Sequence, residues 1–281
     1  MGMCQLDNYE DMMKAYLRSM ELDIYQVDAF SRGPFTGNPA AVVPLESWLS
    51  DDILQKIAEE NNLSETAFFV KVGDVYHIRW FTPVVEVALC GHATLASAYV
   101  IFNELGHDKD EIHLTCKSGP ISVKRSGDLL TLDFPTDQLE KQTKIPSTLT
   151  KALNAEILEL YKGRDDYMCV IDSQDQVEAL TPDFALLKSV GMRGVLVTAP
   201  GRDALDFVSR GFFPQSGIDE DPVTGSAHTS LTPYWAKRLG KTELNASQLS
   251  KRKGYLHCTY KVDRTLISGK ADLYLRGKIM I

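Results

Sequence analysis

The feature that most constrains this chain is a pattern that occurs once in each half. Residues 90–93 (Cys-Gly-His-Ala) and residues 224–227 (Thr-Gly-Ser-Ala) each place a glycine between small or polar residues, just before a predicted helix. A glutamate lies four residues upstream in both copies, at Glu86 and Glu220. An aromatic residue and a proline lie further upstream in both. Each copy therefore predicts the same order of strand, turn, acidic residue, glycine and helix. Two unrelated glycine turns are the alternative interpretation, but the match extends beyond the glycine.

A glycine at the start of a helix lets a ligand approach the backbone closely. The N–H groups of the first helical turn have no partner within the helix, and the helix dipole favours a negative charge beside them. If the two helix starts face each other, Gly91 and Gly225 border a cleft suited to a small carboxylate. Ser226 belongs to the second helix start and is a further candidate ligand contact.

Composition limits the classes of partner. The 281 residues carry a formal net charge of −8, with 44% hydrophobic and 24% charged residues, and no block of Lys or Arg stands out. Nucleic acids and anionic membranes are therefore poor partners. The five cysteines are scattered and odd in number, which predicts a reduced, cytoplasmic protein.

The predicted elements favour an α+β fold of two domains, because a repeat in a chain of this length argues for two units. The first domain is predicted over residues 20–135 and the second over residues 145–270, with a linker between them. Residues 1–19 are an extension to which we assign no function; they form either a short helix or an arm. The helix predicted over residues 92–105 is rich in alanine and apolar nearly all round, so it is expected inside a layer of strands.

A single carboxylate stands out as a candidate for proton transfer. Glu65 opens an apolar strand, residues 65–70 (Glu-Thr-Ala-Phe-Phe-Val). Burial at the edge of such a strand raises the pKa of a carboxyl group and makes it a useful acid–base group. An exposed glutamate at a strand end is the competing interpretation. The corresponding helix-then-strand pair in the second half has Gly194 in this position, so the halves are alike in scaffold and unlike in chemistry.

Two other chemistries could use residues of the same region. Cys90, His92 and His228 are possible zinc ligands, but Cys-x-His is an unusual ligand spacing and no second close pair exists. Cys90 is also a possible nucleophile beside His92, although neighbouring residues at a helix start rarely point at each other. The simplest interpretation is that Cys90 is a small buried residue of the core.

Five motifs follow one another along the chain. They are residues 37–42 (Gly-Asn-Pro-Ala-Ala-Val), 62–68 (Asn-Leu-Ser-Glu-Thr-Ala-Phe), 79–83 (Arg-Trp-Phe-Thr-Pro), 90–95 (Cys-Gly-His-Ala-Thr-Leu) and 220–227 (Glu-Asp-Pro-Val-Thr-Gly-Ser-Ala). Together they resemble the phenazine-biosynthesis-like (PhzF-like) isomerase family of the diaminopimelate epimerase superfamily. The resemblance implies two pseudo-symmetric domains, each a bent, mostly antiparallel sheet wrapped around a central helix, with the active site between them. In that superfamily the last strand commonly returns to the first domain, which makes residues 271–281 candidates to do so.

The resemblance also implies roles for single residues. It implies proton transfer without a cofactor or a metal, with Glu65 as the acid–base group. His92 and Asp221 would assist proton movement and hold the ligand. Asn38 is a candidate either for capping a turn or for touching the substrate, a small carboxylate. A homodimer is expected from the resemblance only.

The chain departs from related racemases and epimerases, which carry one cysteine in each glycine turn. Cys90 occupies the first position, but Thr224 occupies the second, and a threonine hydroxyl is too weak an acid to replace a thiol at neutral pH. The sequence therefore predicts an isomerase with one base on one face of the substrate. A single-thiol epimerase using Cys90 and a non-catalytic interaction protein on the same scaffold are the alternatives. Residues 250–254 (Ser-Lys-Arg-Lys-Gly) are more basic than the glycine-rich turn expected from the resemblance.

Overall fold

The computed structural model describes residues 20–281, and the extension predicted over residues 1–19 lies outside the described residues. The first half contains strands β1 Glu21–Ala29, β2 Asn38–Leu45, β3 Glu65–Val72, β4 Val75–Phe81, β5 Glu86–Val87, β6 Glu111–Cys116, β7 Gly119–Ser126 and β8 Leu129–Pro135, with helices α1 Asp51–Asn61 and α2 Gly91–Tyr99. The rest of the chain contains strands β9 Glu140–Gln142, β10 Glu159–Lys162, β11 Asp166–Val170, β12 Gly194–Pro200, β13 Phe207–Phe213, β14 Ile218–Asp221, β15 Glu243–Gln248, β16 Gly254–Lys261, β17 Arg264–Gly269 and β18 Ala271–Met280, with helices α3 Ser147–Leu153, α4 Gln174–Ala179, α5 Phe184–Lys188 and α6 Ala227–Leu239.

The strand pairings repeat from one half to the other, which confirms the pseudo-symmetry predicted from the sequence. In the first half the neighbours run β18, β1, β2, β3, β4, β6, β7, β8. In the second half they run β9, β10, β11, β12, β13, β15, β16, β17. Both series are antiparallel, antiparallel, parallel, antiparallel, parallel, antiparallel, antiparallel. The fold is therefore a mixed, mostly antiparallel α+β arrangement built twice.

The two halves are joined through equivalent strands. β8 pairs antiparallel with β17, from Leu130 opposite Gly269 to Pro135 opposite Arg264. The last strand, β18, pairs antiparallel with β1 along its whole length, from Ala271 opposite Ala29 to Met280 opposite Glu21. All the strands thus belong to one hydrogen-bonded network, and the chain crosses between the halves immediately before β9 and before β18.

Each half wraps its strands around one helix. In α2 every residue from His92 to Ala98 is buried, and in α6 Ala227–Pro233 are buried together with Trp235 and Ala236. Alanines and other small residues let the surrounding strands approach these helices closely. The helix predicted over residues 92–105 is confirmed, except that its last turn, Val100–Glu104, is a π-helix. Among the described residues no helix is both long enough and apolar enough to cross a bilayer.

Some elements differ from the sequence-based expectation. The segment predicted to be a linker contains β9, which pairs with β10 and forms an edge of the second half. The short helix α4, between β11 and α5, was not predicted. The short strands β5 and β14 were missed, because two to four residues carry too little periodicity to be recognised.

Candidate active site

The starts of the two central helices meet at the centre of the molecule. A methyl group added to Gly91 would lie 3.6 Å from the Cα atom of Gly225, and the reverse construction gives the same 3.6 Å. The ring of Phe134 lies beside Gly91, and the ring of Phe30 lies beside Gly225. The two backbones therefore lie close together. Side chains larger than a methyl group at these glycines would enter the space between them. Gly91 and Ser226 are partly accessible to solvent.

The upstream glutamates of the repeat have a structural role. Arg79 forms a two-pronged ion pair with Glu86, with distances of 2.8 and 2.9 Å, and Arg210 forms the same pair with Glu220, with distances of 2.6 and 2.9 Å. Hydrogen bonding from Arg79 lowers the pKa of Glu86 to about 2. In each half the pair ties β4 or β13 to the segment that leads into the central helix. This equivalence explains why a glutamate occurs at the same position in both copies.

Glu65 is the first residue of β3, which runs parallel to β2. Its Oε2 lies 3.2 Å from Nε2 of His92, and its side chain is only 13% exposed. Burial raises the pKa of Glu65 to about 8, the negative charge of Asp221 adds to the rise, and a hydrogen bond with Cys90 opposes it. A carboxyl group with such a pKa exchanges protons readily near neutral pH. In the second half the equivalent strand β12 begins at Gly194, so this carboxyl group occurs in one half only.

His92 is a neutral hydrogen-bonding group. It lies on the first turn of α2, is 5% exposed, and burial lowers its pKa to about 3. Its Nδ1 lies 3.2 Å from the Asn38 amide nitrogen and 3.5 Å from the Cys90 sulfur, both of which are donors. Nδ1 is therefore the acceptor, which places the ring proton on Nε2, the atom that faces Glu65.

Asn38 connects the two halves. Its Nδ2 donates to Oδ1 of Asp221 at 2.8 Å and to the carbonyl oxygen of Val223 at 2.9 Å. The residue has no exposed surface, and its Oδ1 has no hydrogen-bond partner in the described part of the chain. Glu65 Oε2 and His92 Nε2 are also buried without a hydrogen-bond partner, because the contact between these two atoms is poorly aligned. Buried polar atoms normally have partners, so three such atoms in one place indicate a ligand or water site.

Asp221 is the second buried carboxyl group. Its Oδ2 accepts a hydrogen bond of 2.5 Å from the Thr224 hydroxyl. Burial raises the pKa of Asp221 to about 6, against the opposing effect of hydrogen bonds from Thr224 and Asn38. Gln248 at the end of β15 supports this turn: it donates to the Asp221 carbonyl oxygen and accepts from the Thr224 N–H, both at 2.9 Å. The sequence analysis missed Gln248, because nothing in its neighbourhood marks a site.

Cys90 and Thr224, the positions of the paired cysteines in related epimerases, differ here. Burial and the nearby charge of Glu65 raise the pKa of the Cys90 thiol well above its usual value, so the thiol remains protonated. The Thr224 hydroxyl donates its hydrogen bond to Asp221. Neither group is prepared to remove a proton at neutral pH.

A metal would meet a mixed set of donors here. Donor atoms of Glu65, Cys90 and His92 lie within 4.8 Å of one another. His228, a member of the zinc set considered from the sequence, lies outside this group; its Nδ1 hydrogen bonds with the Thr224 carbonyl oxygen at 2.9 Å and its ring lies against Phe207.

The cluster is largely buried, with partial exposure at Glu65, Gly91 and Ser226. The structure brings together Asn38, Glu65, His92 and Asp221, and the glycines of both helix starts lie beside them. Two surface depressions, of about 380 and 350 Å³, are lined by residues elsewhere on the molecule. The arrangement thus joins two largely buried carboxyl groups of different pKa and a neutral imidazole, and groups with perturbed pKa values in such surroundings are candidates for proton transfer.

Comparison with known proteins identifies the family of the chain. Residues 27–277 match the family model described as phenazine biosynthesis-like protein. An uncharacterized isomerase of Pseudomonas aeruginosa is 54% identical over 260 residues, which cover 92% of this chain and 99% of the relative. The crystal structure of a PhzF-family phenazine biosynthesis protein from Enterococcus faecalis superposes with a TM-score of 0.90 at 48% identity and covers 93% of this chain and 100% of that one.

A more distant structure is similar in fold alone. A hydroxyproline epimerase from Agrobacterium vitis superposes with a TM-score of 0.57 at 11% identity and covers 93% of this chain and 92% of that one. Together with the repeated strand order, this likeness confirms the epimerase-like fold predicted from the sequence. The chain belongs to the phenazine biosynthesis-like (PhzF) protein family.

Proposed function

We propose that this protein is an isomerase that moves a proton along a small carboxylate-bearing metabolite, with Glu65 as the acid–base group. The observation that carries the proposal is the environment of Glu65: a largely buried carboxyl group with a pKa of about 8, 3.2 Å from a neutral imidazole. The curated relative from Pseudomonas aeruginosa is named an isomerase, which supports the same reaction class.

Glu65 takes up a proton from a carbon atom next to an activating group and returns it at another atom on the same face. A pKa near the working pH lets one group perform both steps. The Nε2–H group of His92 lies 3.2 Å from Glu65 Oε2, and its partial positive charge stabilises the ionised form. Asp221, held by Asn38 and Thr224, keeps a second carboxyl group beside Glu65 and raises its proton affinity.

The substrate carboxylate binds at the two helix starts. The first-turn N–H groups around Gly91, His92, Gly225 and Ser226 are free of intrahelical partners and carry the positive ends of two helix dipoles. The glycines keep the backbone accessible to a small ligand. The unpartnered Oδ1 of Asn38 offers an acceptor to an amino or hydroxyl group of the same ligand.

A screen for proton exchange tests this proposal. Pools of small carboxylic acids are incubated with the protein in D₂O, and deuterium incorporation is followed by mass spectrometry. We expect at least one compound to gain deuterium at carbon or to isomerise. Absence of exchange across a broad collection of such acids would favour the non-catalytic alternative.

The single-thiol epimerase is the second candidate, and Cys90→Ser distinguishes it. Because the thiol stays protonated and serves only as a hydrogen-bonding neighbour of Glu65 and His92, we expect the variant to retain exchange within about tenfold of the wild-type rate. If the thiol acts as the base, this substitution should instead abolish proton exchange completely. Initial rates with the exchanging compound measure the difference.

The pKa of Glu65 can be measured without a substrate. A titration of its side-chain carboxyl carbon by NMR, assigned by comparison with Glu65→Gln, is expected to give a midpoint near pH 8. In Asp221→Asn the midpoint should move to lower pH, because a neighbouring negative charge that raises the Glu65 pKa has been removed. An unchanged midpoint would show that the two carboxyl groups are not coupled.

A further inference from the structure

A loop of the first half rests on a turn of the second half at one edge of the site. We call residues 30–37, between β1 and β2, the clasp loop. The Tyr255 N–H donates to the Phe30 carbonyl oxygen at 2.9 Å, and the Gly37 N–H donates to the Lys253 carbonyl oxygen at 2.7 Å. The clasp loop is therefore fixed to the second half at both of its ends, to the start of β16 at Phe30 and to the turn between β15 and β16 at Gly37.

Arg252 in that turn is bound by first-half acceptors. Its guanidinium group lies 2.9 Å from Oδ1 of Asp28, whose side chain is 3% exposed. It donates through Nε to the Gly37 carbonyl oxygen at 2.8 Å and through a terminal nitrogen to the Thr36 carbonyl oxygen at 3.3 Å. These contacts account for one of the three basic residues in the turn at residues 250–254, because its arginine binds the other half.

The backbone of the clasp loop is held in an unusual conformation. Phe30 and Phe35 have φ angles of 59° and 68°, in the left-handed region that non-glycine residues rarely adopt. Gly37 has φ 76°, and a methyl group there would lie 2.4 Å from the Ala29 carbonyl oxygen. Such conformations persist when surrounding contacts impose them, and Arg252 supplies part of those contacts.

The clasp leads directly to the site. Asn38 follows Gly37 in the chain and donates to Asp221 and Val223. On the opposite side, Ser250 donates through its hydroxyl to the carbonyl oxygen of Pro222, which lies between those two acceptors. The turn and the loop thus hold both partners of the Asn38 hydrogen bonds in register.

Two of the contacts between the halves differ in kind. β8 and β17 form a continuous backbone ladder, whereas the clasp depends on the Arg252 guanidinium group, the stacking of Arg32 on Tyr255 and a few main-chain bonds. The side chain of Glu65 is only 13% exposed, so freer access to it requires the halves to move apart. Opening at the clasp, with the ladder as the pivot, would also break the Asn38 hydrogen bonds to Asp221 and Val223.

We propose that Arg252 is a positioning residue that holds the two halves closed over the site, acting through the clasp loop and Asn38 without touching the substrate. The proposal rests on the proposed function only for its consequence on turnover. It extends that function by assigning control of ligand entry to an ion pair between Asp28 and Arg252.

The reporter for opening is the Cys90 thiol, which is buried beside His92. The free protein is treated with iodoacetamide, and labelling of each cysteine is followed by peptide mass spectrometry. In Arg252→Met we expect Cys90 to react about tenfold faster, since hydrogen bonds to a charged group shift such an equilibrium by at least that factor. Lys251→Met, a change at the exposed neighbouring residue, should leave the rate unchanged.

Cys169, buried in the second-half core, is the internal control for folding. Unchanged Cys90 labelling in Arg252→Met, with Cys169 still protected, would overturn the proposal. If Cys169 also becomes reactive in that variant, Arg252→Lys replaces it. The lysine keeps the charge beside Asp28 but loses the carbonyl contacts, so faster Cys90 labelling supports the proposal and an unchanged rate overturns it.

Turnover adds a second readout once an exchanging compound is known. A positioning role predicts that Arg252→Met raises KM and lowers kcat while the pH profile of kcat/KM keeps its midpoint. A shifted midpoint with unchanged labelling would mean that Arg252 acts on Glu65 electrostatically and would overturn the proposal. Faster labelling without exchange by the wild-type protein would leave the clasp standing and remove the proposed function.

Discussion

Glu65→Gln is expected to reduce proton exchange by on the order of 10³-fold, because positioned acid–base catalysis contributes about 10²–10⁴. Glutamine keeps the size and hydrogen-bonding capacity of the side chain but cannot carry the proton. His92 does not replace it, since burial lowers its pKa to about 3. The measurement is the initial rate of deuterium incorporation into the exchanging compound.

The same variant should be more stable than the wild-type protein at alkaline pH. In the unfolded chain the carboxyl group ionises near its ordinary pKa of 4.5, whereas in the fold the pKa is about 8. Between these values the folded protein binds the proton more tightly, so the wild type loses stability as pH rises through that window. The advantage of Glu65→Gln should therefore grow from pH 5 to pH 8 in denaturant titrations.

Glu86→Gln is the matched control, because Glu86 is a glutamate of the same region that pairs with Arg79. It should retain exchange, apart from the loss caused by reduced stability. Full exchange activity in a folded Glu65→Gln protein would remove Glu65 as the base. A loss in both variants of equal size would point to a general disturbance of the fold.

The second large effect concerns the duplicated ion pair. Removing one partner of a largely buried pair typically costs about 3–5 kcal/mol, because the remaining charge is left without compensation. Arg210→Met is expected to lie in that range, since its guanidinium also donates to the carbonyl oxygens of Val177 and Leu180. Arg79→Met should cost less, because Lys117 remains 2.5 Å from Glu86.

Denaturant unfolding of the two variants at pH 7 measures the difference. Lys117→Met is the control: its side chain is 61% exposed, and exposed pairs contribute about 0–1 kcal/mol. If Arg210→Met unfolds at the same denaturant concentration as the wild type, the pair does not support the second half. A similar result for Arg79→Met would argue against a common role in the two copies.

Much of the fold could be predicted from the sequence because the duplication leaves a local signature. The glycine, the upstream glutamate and the buried helix follow one another within about twenty residues in each half, so pattern and spacing were sufficient. The family resemblance supplied the rest of the architecture. The edge strand β9 was missed because a polar three-residue strand takes its conformation from its partner and not from its own residues.

The candidate site was only partly accessible to the same reasoning. Glu65 could be singled out because it stands at the start of an apolar strand. The links of Asn38 to Asp221, of Gln248 to Thr224 and of Arg252 to Asp28 join residues far apart in the chain. Such pairs leave no spacing rule in a single sequence. The pKa of Glu65 likewise depends on burial, which only the folded chain determines.

The pairing of β8 with β17 has a consequence for how the candidate active site can differ between its two sides. These strands occupy equivalent places, so their contact has the form of a twofold interface between two copies of a half-length chain. In a true dimer of that kind every amino-acid replacement appears twice. Covalent fusion removes this restriction, and one copy here carries a glutamate at the head of β3 while the other carries a glycine at the head of β12. A glutamate can occur in one half of the repeated fold only, because one polypeptide encodes both copies.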